Sequence, residues 1–168
     1  MSDPKPVVWL LTGLPGSGKT TFAKALEAAG GVVRLSVDEE MTARHGRLGK
    51  DHAEHEHLAL QAPVIQEVRR RLVELVREGH SVVLDHGLGT RASRDDYKQL
   101  VTEHGAEWRL VHFQVAHSEL LRRLAQRNTQ AEYGVISPET LAWIAENSEP
   151  PTGEGEEPPS GRQPRRRP

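Results

Sequence analysis

The stretch Gly13-Leu14-Pro15-Gly16-Ser17-Gly18-Lys19-Thr20 decides how the rest of the chain is read. It matches G-x-x-x-x-G-K-[ST], the phosphate-binding P-loop, and its flanks supply the context that gives such a match meaning. Val7-Val8-Trp9-Leu10-Leu11 before it is a short apolar run of strand-forming residues. Residues 21–29 after it read as helix and stop at Gly30-Gly31. Gly13, Gly16 and Gly18 let the backbone turn tightly around an anion, while successive N–H groups at a helix N-terminus form a concave nest for it. Lys19 is expected to reach the β- and γ-phosphates of a nucleotide, and the Thr20 hydroxyl to hold Mg2+. Gly13, Leu14, Pro15, Gly16, Ser17, Gly18, Lys19, Thr20 and Thr21 are therefore the expected nucleotide contacts.

Working outward, 168 residues suffice for one domain, able to bury roughly two-thirds of the surface of its unfolded chain. The formal charge of −2 disfavours a strongly electrostatic nucleic-acid binder. With no cysteine there is neither disulfide nor thiolate nucleophile, which suits a reducing cytoplasm. No apolar run reaches transmembrane length, so no membrane partner is expected, and the N-terminal residues lack the pattern of a cleaved leader. Of the 22 basic residues only Lys5, Lys19, Lys24, Lys50 and Lys98 are lysine, so an arginine carries meaning by position rather than by presence.

Along the chain, residues 32–37 read as a second strand ending at Asp38, followed by a short helix and loop to Gly49. Residues 51–78 carry apolar positions at three- and four-residue spacing, a helix that Pro63 is expected to kink or divide. A third, continuously apolar strand over residues 81–84 ends at Asp85; a helix follows over residues 91–104. A fourth strand covers residues 108–115. A helix capped by Ser118 covers residues 117–127, and a last helix opens at Ser137-Pro138. Strands alternating with helices at this spacing predict an α/β fold, a three-layer sandwich around a parallel sheet of four to five strands. The expected domain spans residues 1–148, with a lid segment over 122–137. Residues 149–168, rich in Pro, Gly, Glu and Arg, have little to bury and are expected to be disordered.

In such sheets ligands bind beyond the carboxyl ends of the strands, and Gly13, Asp38 and Asp85 all fall there. Asp38 can accept the proton of an attacking hydroxyl, or simply cap the helix after it. Asp85 stands where a carboxylate lies near Mg2+ or substrate, although before His86-Gly87 it also suits a turn. Arg122, Arg123 and Arg127 lead into the lid, where arginine forks can meet phosphate oxygens. Arg91 and Arg94, after the third strand, are candidates for contact with an acceptor or a phosphate, or are surface charges at a helix start. The run from Asp51 to His57, in which His52, His55 and Glu56 have neighbours at helical spacing, invites a metal-site reading but contains no H-E-x-x-H, and reads as a polar face.

These residues together resemble the small P-loop kinases of the AAA-33 or zeta-toxin-like group, which includes chloramphenicol phosphotransferase and the kinase domain of polynucleotide kinase. The resemblance rests on the P-loop, Ser36-Val37-Asp38, Val83-Leu84-Asp85 with Arg91 and Arg94, and Leu121-Arg122-Arg123-Leu124 through Arg127-Asn128. It implies ATP and Mg2+ as cofactors and transfer of the γ-phosphate to a hydroxyl of a small molecule. On that likeness Asp38 matches the catalytic aspartate and Arg122 and Arg127 the lid arginines; by motif and position Lys19 is expected to be catalytic as well, Arg123 to contact nucleotide, Thr20 and Asp85 to serve the metal, and Asp38, Asp85, Arg91 and Arg94 to meet the acceptor. A nucleotide-dependent ATPase or switch, and a kinase acting on nucleic-acid 5′ ends, are the alternatives. The sequence pattern sets no oligomeric state.

Overall fold

The computed structural model describes residues 4–130 and 134–159. Five parallel strands form one sheet: β1 (Val7–Thr12), β2 (Val32–Ser36), β3 (Ser81–Asp85), β4 (Glu107–His112) and β5 (Glu156–Glu157), in the order β2-β3-β1-β4-β5. Six α-helices connect and cover them: α1 (Lys19–Ala28), α2 (Val37–His45), α3 (His57–Arg77), α4 (Arg91–Glu103), α5 (His117–Asn128) and α6 (Pro138–Glu146). The expected α/β architecture is the one observed.

Side-chain alternation along β1 shows why both faces need helices. Val8 and Leu10 point into a core with Val82, Leu84, Leu110, Val37, Leu72 and Val101. Trp9 and Leu11 point the other way, onto Val83, Val111, Ala23 and Leu26. The register Leu10↔Leu84 and Leu10↔Leu110 stacks fully buried side chains across three central strands. A third cluster of Leu120, Leu124 and Leu141 ties α5 to α6, with Leu14 of the P-loop packed against it.

Several boundaries differ from the expectation. β2 stops at Ser36, whose hydroxyl accepts the Glu39 N–H at 3.2 Å as the N-cap of α2. Asp38 consequently lies in the first turn of a helix rather than at a strand end. Pro63 lies inside one continuous 21-residue helix. α5 is capped by Ala116 without a side-chain bond, so Ser118 is not its cap. Ser137 does cap α6, accepting the Thr140 N–H at 3.1 Å.

The largest correction concerns residues 149–159, expected to lack structure. They pack onto the domain, and β5 extends the sheet through Leu110↔Glu156 and Val111↔Glu157. The Glu149 N–H donates to the Gly89 carbonyl at 2.7 Å, and Lys98 Nζ donates to the Glu154 carbonyl at 2.7 Å from above the Trp108 ring. Backbone hydrogen bonds and one buried ion pair order this segment, neither of which an apolar count detects. The remainder of the expected tail, 160–168, and the part of the expected lid at 131–133 lie outside the described residues. No helix among the described residues is long and apolar enough to cross a membrane.

Candidate active site

Residues 13–18 join β1 to α1 with two left-handed glycines, Gly16 at φ 83° and Gly18 at φ 105°. Gly13 is required for a different reason: a Cβ there would stand 2.7 Å from Ser17 Oγ and 2.9 Å from Phe113 Cβ. Lys19 folds over the loop, its ammonium donating to the carbonyls of Gly13 at 2.7 Å and Leu14 at 2.9 Å. Burial pushes the ammonium down to about 8, against the pull of Asp38 and Asp85.

The Thr20 hydroxyl donates to Asp85 Oδ2 at 3.0 Å, so the two expected metal groups do meet. Asp85 is 5% exposed and has a further partner, Arg34 of β2, whose Nε and a terminal nitrogen donate to the same oxygen at 3.2 and 2.9 Å. Arg34 also reaches Glu39 at 2.8 Å. Sequence reasoning passed over Arg34. Its signal was a lone charge inside Val32-Val33-Arg34-Leu35, a strand that a covered parallel sheet should bury. One hydroxyl and one carboxylate beside a phosphate-binding loop suit Mg2+, which retains several waters and takes one or two carboxylates plus substrate phosphates.

The loop after β3 forms the floor. Thr12 Oγ1 and Arg94 donate to the Leu88 carbonyl at 2.7 and 3.0 Å, and the Leu88 N–H reaches Leu11 O at 3.3 Å. His86 and Gly87 are thereby held next to the P-loop; a Cβ on Gly87 would lie 3.3 Å from the Gly13 carbonyl. Burial holds the His86 imidazole below its usual value, opposed by Asp38.

Asp38, Asp85, His86, Lys19, Thr20 and Thr21 all line one cleft of about 1380 Å3, together with Arg123 and Arg127 of α5. Asp38 is exposed to it. Arg123 donates to the Gly16 carbonyl at 3.0 Å, and the charge of Arg127 is felt at Lys19.

Three expected site residues are placed elsewhere. Arg94 is 0% exposed and forms a two-pronged pair with Glu154 at 2.8 and 3.0 Å; it joins residues 149–159 to the floor loop and does not line the cleft. Arg122 turns outward to Glu119 at 2.6 and 2.9 Å and does not line the cleft. Helical spacing explains this: with Leu120 and Leu124 facing inward, Arg123 and Arg127 share the adjoining i, i+4 face, which Arg122 does not. Arg91 is exposed, paired with Asp95 at 3.6 Å, and likewise lies outside the cleft lining.

Fold and site together define a P-loop NTPase of kinase-like fold. The chain belongs to the AAA_33 family, described as an AAA domain, whose model matches residues 8–151. No curated protein matches the chain in sequence. Among solved structures it is similar to a chain of the Pnkp1/Rnl/Hen1 RNA repair complex, at TM-score 0.73 and 22% identity over 87% of this chain. This chain spans only 45% of that one. It is also similar to a gluconokinase from Sinorhizobium meliloti 1021, at TM-score 0.63 and 20% identity over 96% of this chain and 85% of that one. The Mycobacterium tuberculosis APS kinase CysC, solved with AMPPNP and APS, aligns at TM-score 0.60 and 19% identity over 96% of this chain and 92% of that one. At these identities the likenesses establish the fold.

Proposed function

We propose that the protein is an ATP-dependent phosphotransferase that moves the γ-phosphate of ATP to a hydroxyl of a small molecule. The observation that carries this reading is the single cleft of about 1380 Å3 that contains both the P-loop and Asp38. It exceeds the ~300–1,000 Å3 of a site for one drug-sized ligand, and so has room for a donor and an acceptor side by side.

In this reading the P-loop amides and Lys19 hold the β- and γ-phosphates, Lys19 exchanging its carbonyl partners for phosphate oxygens. Thr20 and Asp85 hold Mg2+, which when bound neutralises phosphate charge. Asp38 accepts the proton of the acceptor hydroxyl as the acceptor oxygen bonds to the γ-phosphorus and the bond to the β,γ-bridging oxygen breaks, releasing ADP. Arg123 and Arg127 face the charge spread over the transferring oxygens.

Asp38→Asn keeps the shape of the site and removes the base. Transfer is expected to fall by roughly 10²–10⁴-fold with ATP affinity nearly unchanged. Retention of most of the transfer rate would remove Asp38 from the base role.

A further inference from the structure

The acceptor half of the cleft has a chemistry of its own. Its walls come from α2 (Met41, Thr42), the start of α3 (His57, Leu58, Gln61) and α6 with its C-cap (Trp143, Ile144, Asn147). The α6 wall is fixed in place from two sides. Glu54 accepts from Ser137 N–H and Oγ at 3.0 and 3.1 Å and from the Thr140 hydroxyl. Asn128 exchanges hydrogen bonds of 2.8 and 3.0 Å with the backbone of Ile136.

Two features of these walls identify what fits between them. First, Leu58 at 61% exposure and Trp143 at 52% are the large hydrophobic side chains left exposed among the described residues, and both line this cleft. An indole offers a broad apolar face on which a flat ring stacks. Second, these walls carry no lysine or arginine among the described residues. Lys19, Arg123 and Arg127 are the lysine and arginine residues of the described lining, and they belong to the P-loop end. Arg47 is held by Asp51, and Lys50 reaches the Gln130 carbonyl; neither lines the cleft. Asp38, Glu54 and Asp85 bring carboxylates to the lining of the same cleft. An anionic acceptor entering here would shed its water without gaining a counter-charge.

Resting on the phosphotransferase reading, we infer that the acceptor is an uncharged hydroxyl compound with a flat unsaturated ring. The ring lies against Trp143 and Leu58, and the hydroxyl is turned toward Asp38. Phosphate-bearing acceptors, including nucleic-acid 5′ ends, find no basic wall on this side of the cleft among the described residues.

The test uses the full chain with γ-labelled ATP and three acceptor sets. One contains uncharged ring compounds (uridine, adenosine, phenyl-1,2-ethanediol). The second contains uncharged compounds without a ring (glycerol, sorbitol). The third contains anions (glycerol 3-phosphate, a 5′-hydroxyl oligonucleotide). Label is expected in the first set, with kcat/KM at least tenfold above the others. Trp143→Ala should then raise the acceptor KM about tenfold with the ATP KM unchanged, and Trp143→Phe should restore most of it. Label confined to the second or third set, or an acceptor KM indifferent to Trp143→Ala, overturns the inferred class while leaving the phosphotransferase reading intact. Label in no acceptor overturns both.

Discussion

Replacing Glu154 with alanine tests whether a chain end with almost no apolar content is held by one buried ion pair. The guanidinium of Arg94 is 0% exposed and the Glu154 side chain 3%, with donor distances of 2.8 and 3.0 Å. Removing the carboxylate strands a buried cation, a loss that costs about 3–5 kcal/mol. For a domain of this size each kcal/mol moves the Tm by about 2–4 °C, so a drop on the order of 10 °C is expected. Replacing both partners with apolar residues, as in Arg94→Met/Glu154→Leu, removes the stranded charge and should recover most of that drop. The same pair gives a pH signature. Arg94 holds Glu154 below the usual carboxylate range, so its contribution is complete at neutral pH and is lost as pH falls below about 4. Thermal and urea unfolding of the wild type and both variants read this directly. A Glu154→Ala protein melting within about 2 °C of wild type would refute the reasoning, since no stranded buried charge is that mild.

Three further outcomes follow from the site. With the Lys19 ammonium lowered to about 8 in the free protein, ATP affinity should weaken as pH rises from 8 to 9.5, because the charged form is the one that binds phosphate; calorimetric titration showing constant affinity across that range would contradict it. Arg34→Met removes the cationic partner of the buried Asp85 carboxylate, so the Tm should fall by several degrees and be regained in part with millimolar Mg2+; a loss that Mg2+ cannot restore would take Asp85 out of the metal role. Arg123→Ala should raise the ATP KM about tenfold while Arg122→Ala changes it less than twofold, since only the former touches the P-loop; equal effects would undo the assignment drawn from helix facing.

The legible parts of this chain are those that repeat a local rule. β1, the P-loop and α1 follow from an apolar run, glycines at fixed spacing and a helical pattern, and the sheet follows from strands alternating with helices. The meeting of Thr20 and Asp85 was legible too, because Thr20 is in the first turn of the helix after β1 and Asp85 closes β3, both at or beyond the carboxyl ends of strands. The illegible parts depend on long-range partners. Arg94 looked like a ligand-facing arginine and is instead satisfied by Glu154, 60 positions later. Residues 149–159 looked unable to fold because their order comes mainly from hydrogen bonds and one buried charge, with Pro151 the apolar residue they bury. Arg34 is matched to Asp85 across 51 positions. Trp143 reads as an ordinary apolar residue of α6 until the fold shows that it remains exposed in the cleft.

The central claim is that the cleft transfers phosphate to an acceptor rather than to water. The direct measurement is the fate of the terminal label of γ-labelled ATP, with Mg2+ and the acceptor sets present, in wild type and Asp38→Asn. The account predicts label in an acceptor ester with wild type and its loss, by roughly 10²-fold or more, with Asp38→Asn. Label released only as inorganic phosphate, at a rate indifferent to every acceptor and to Asp38, would contradict it and identify a nucleotide-dependent ATPase instead.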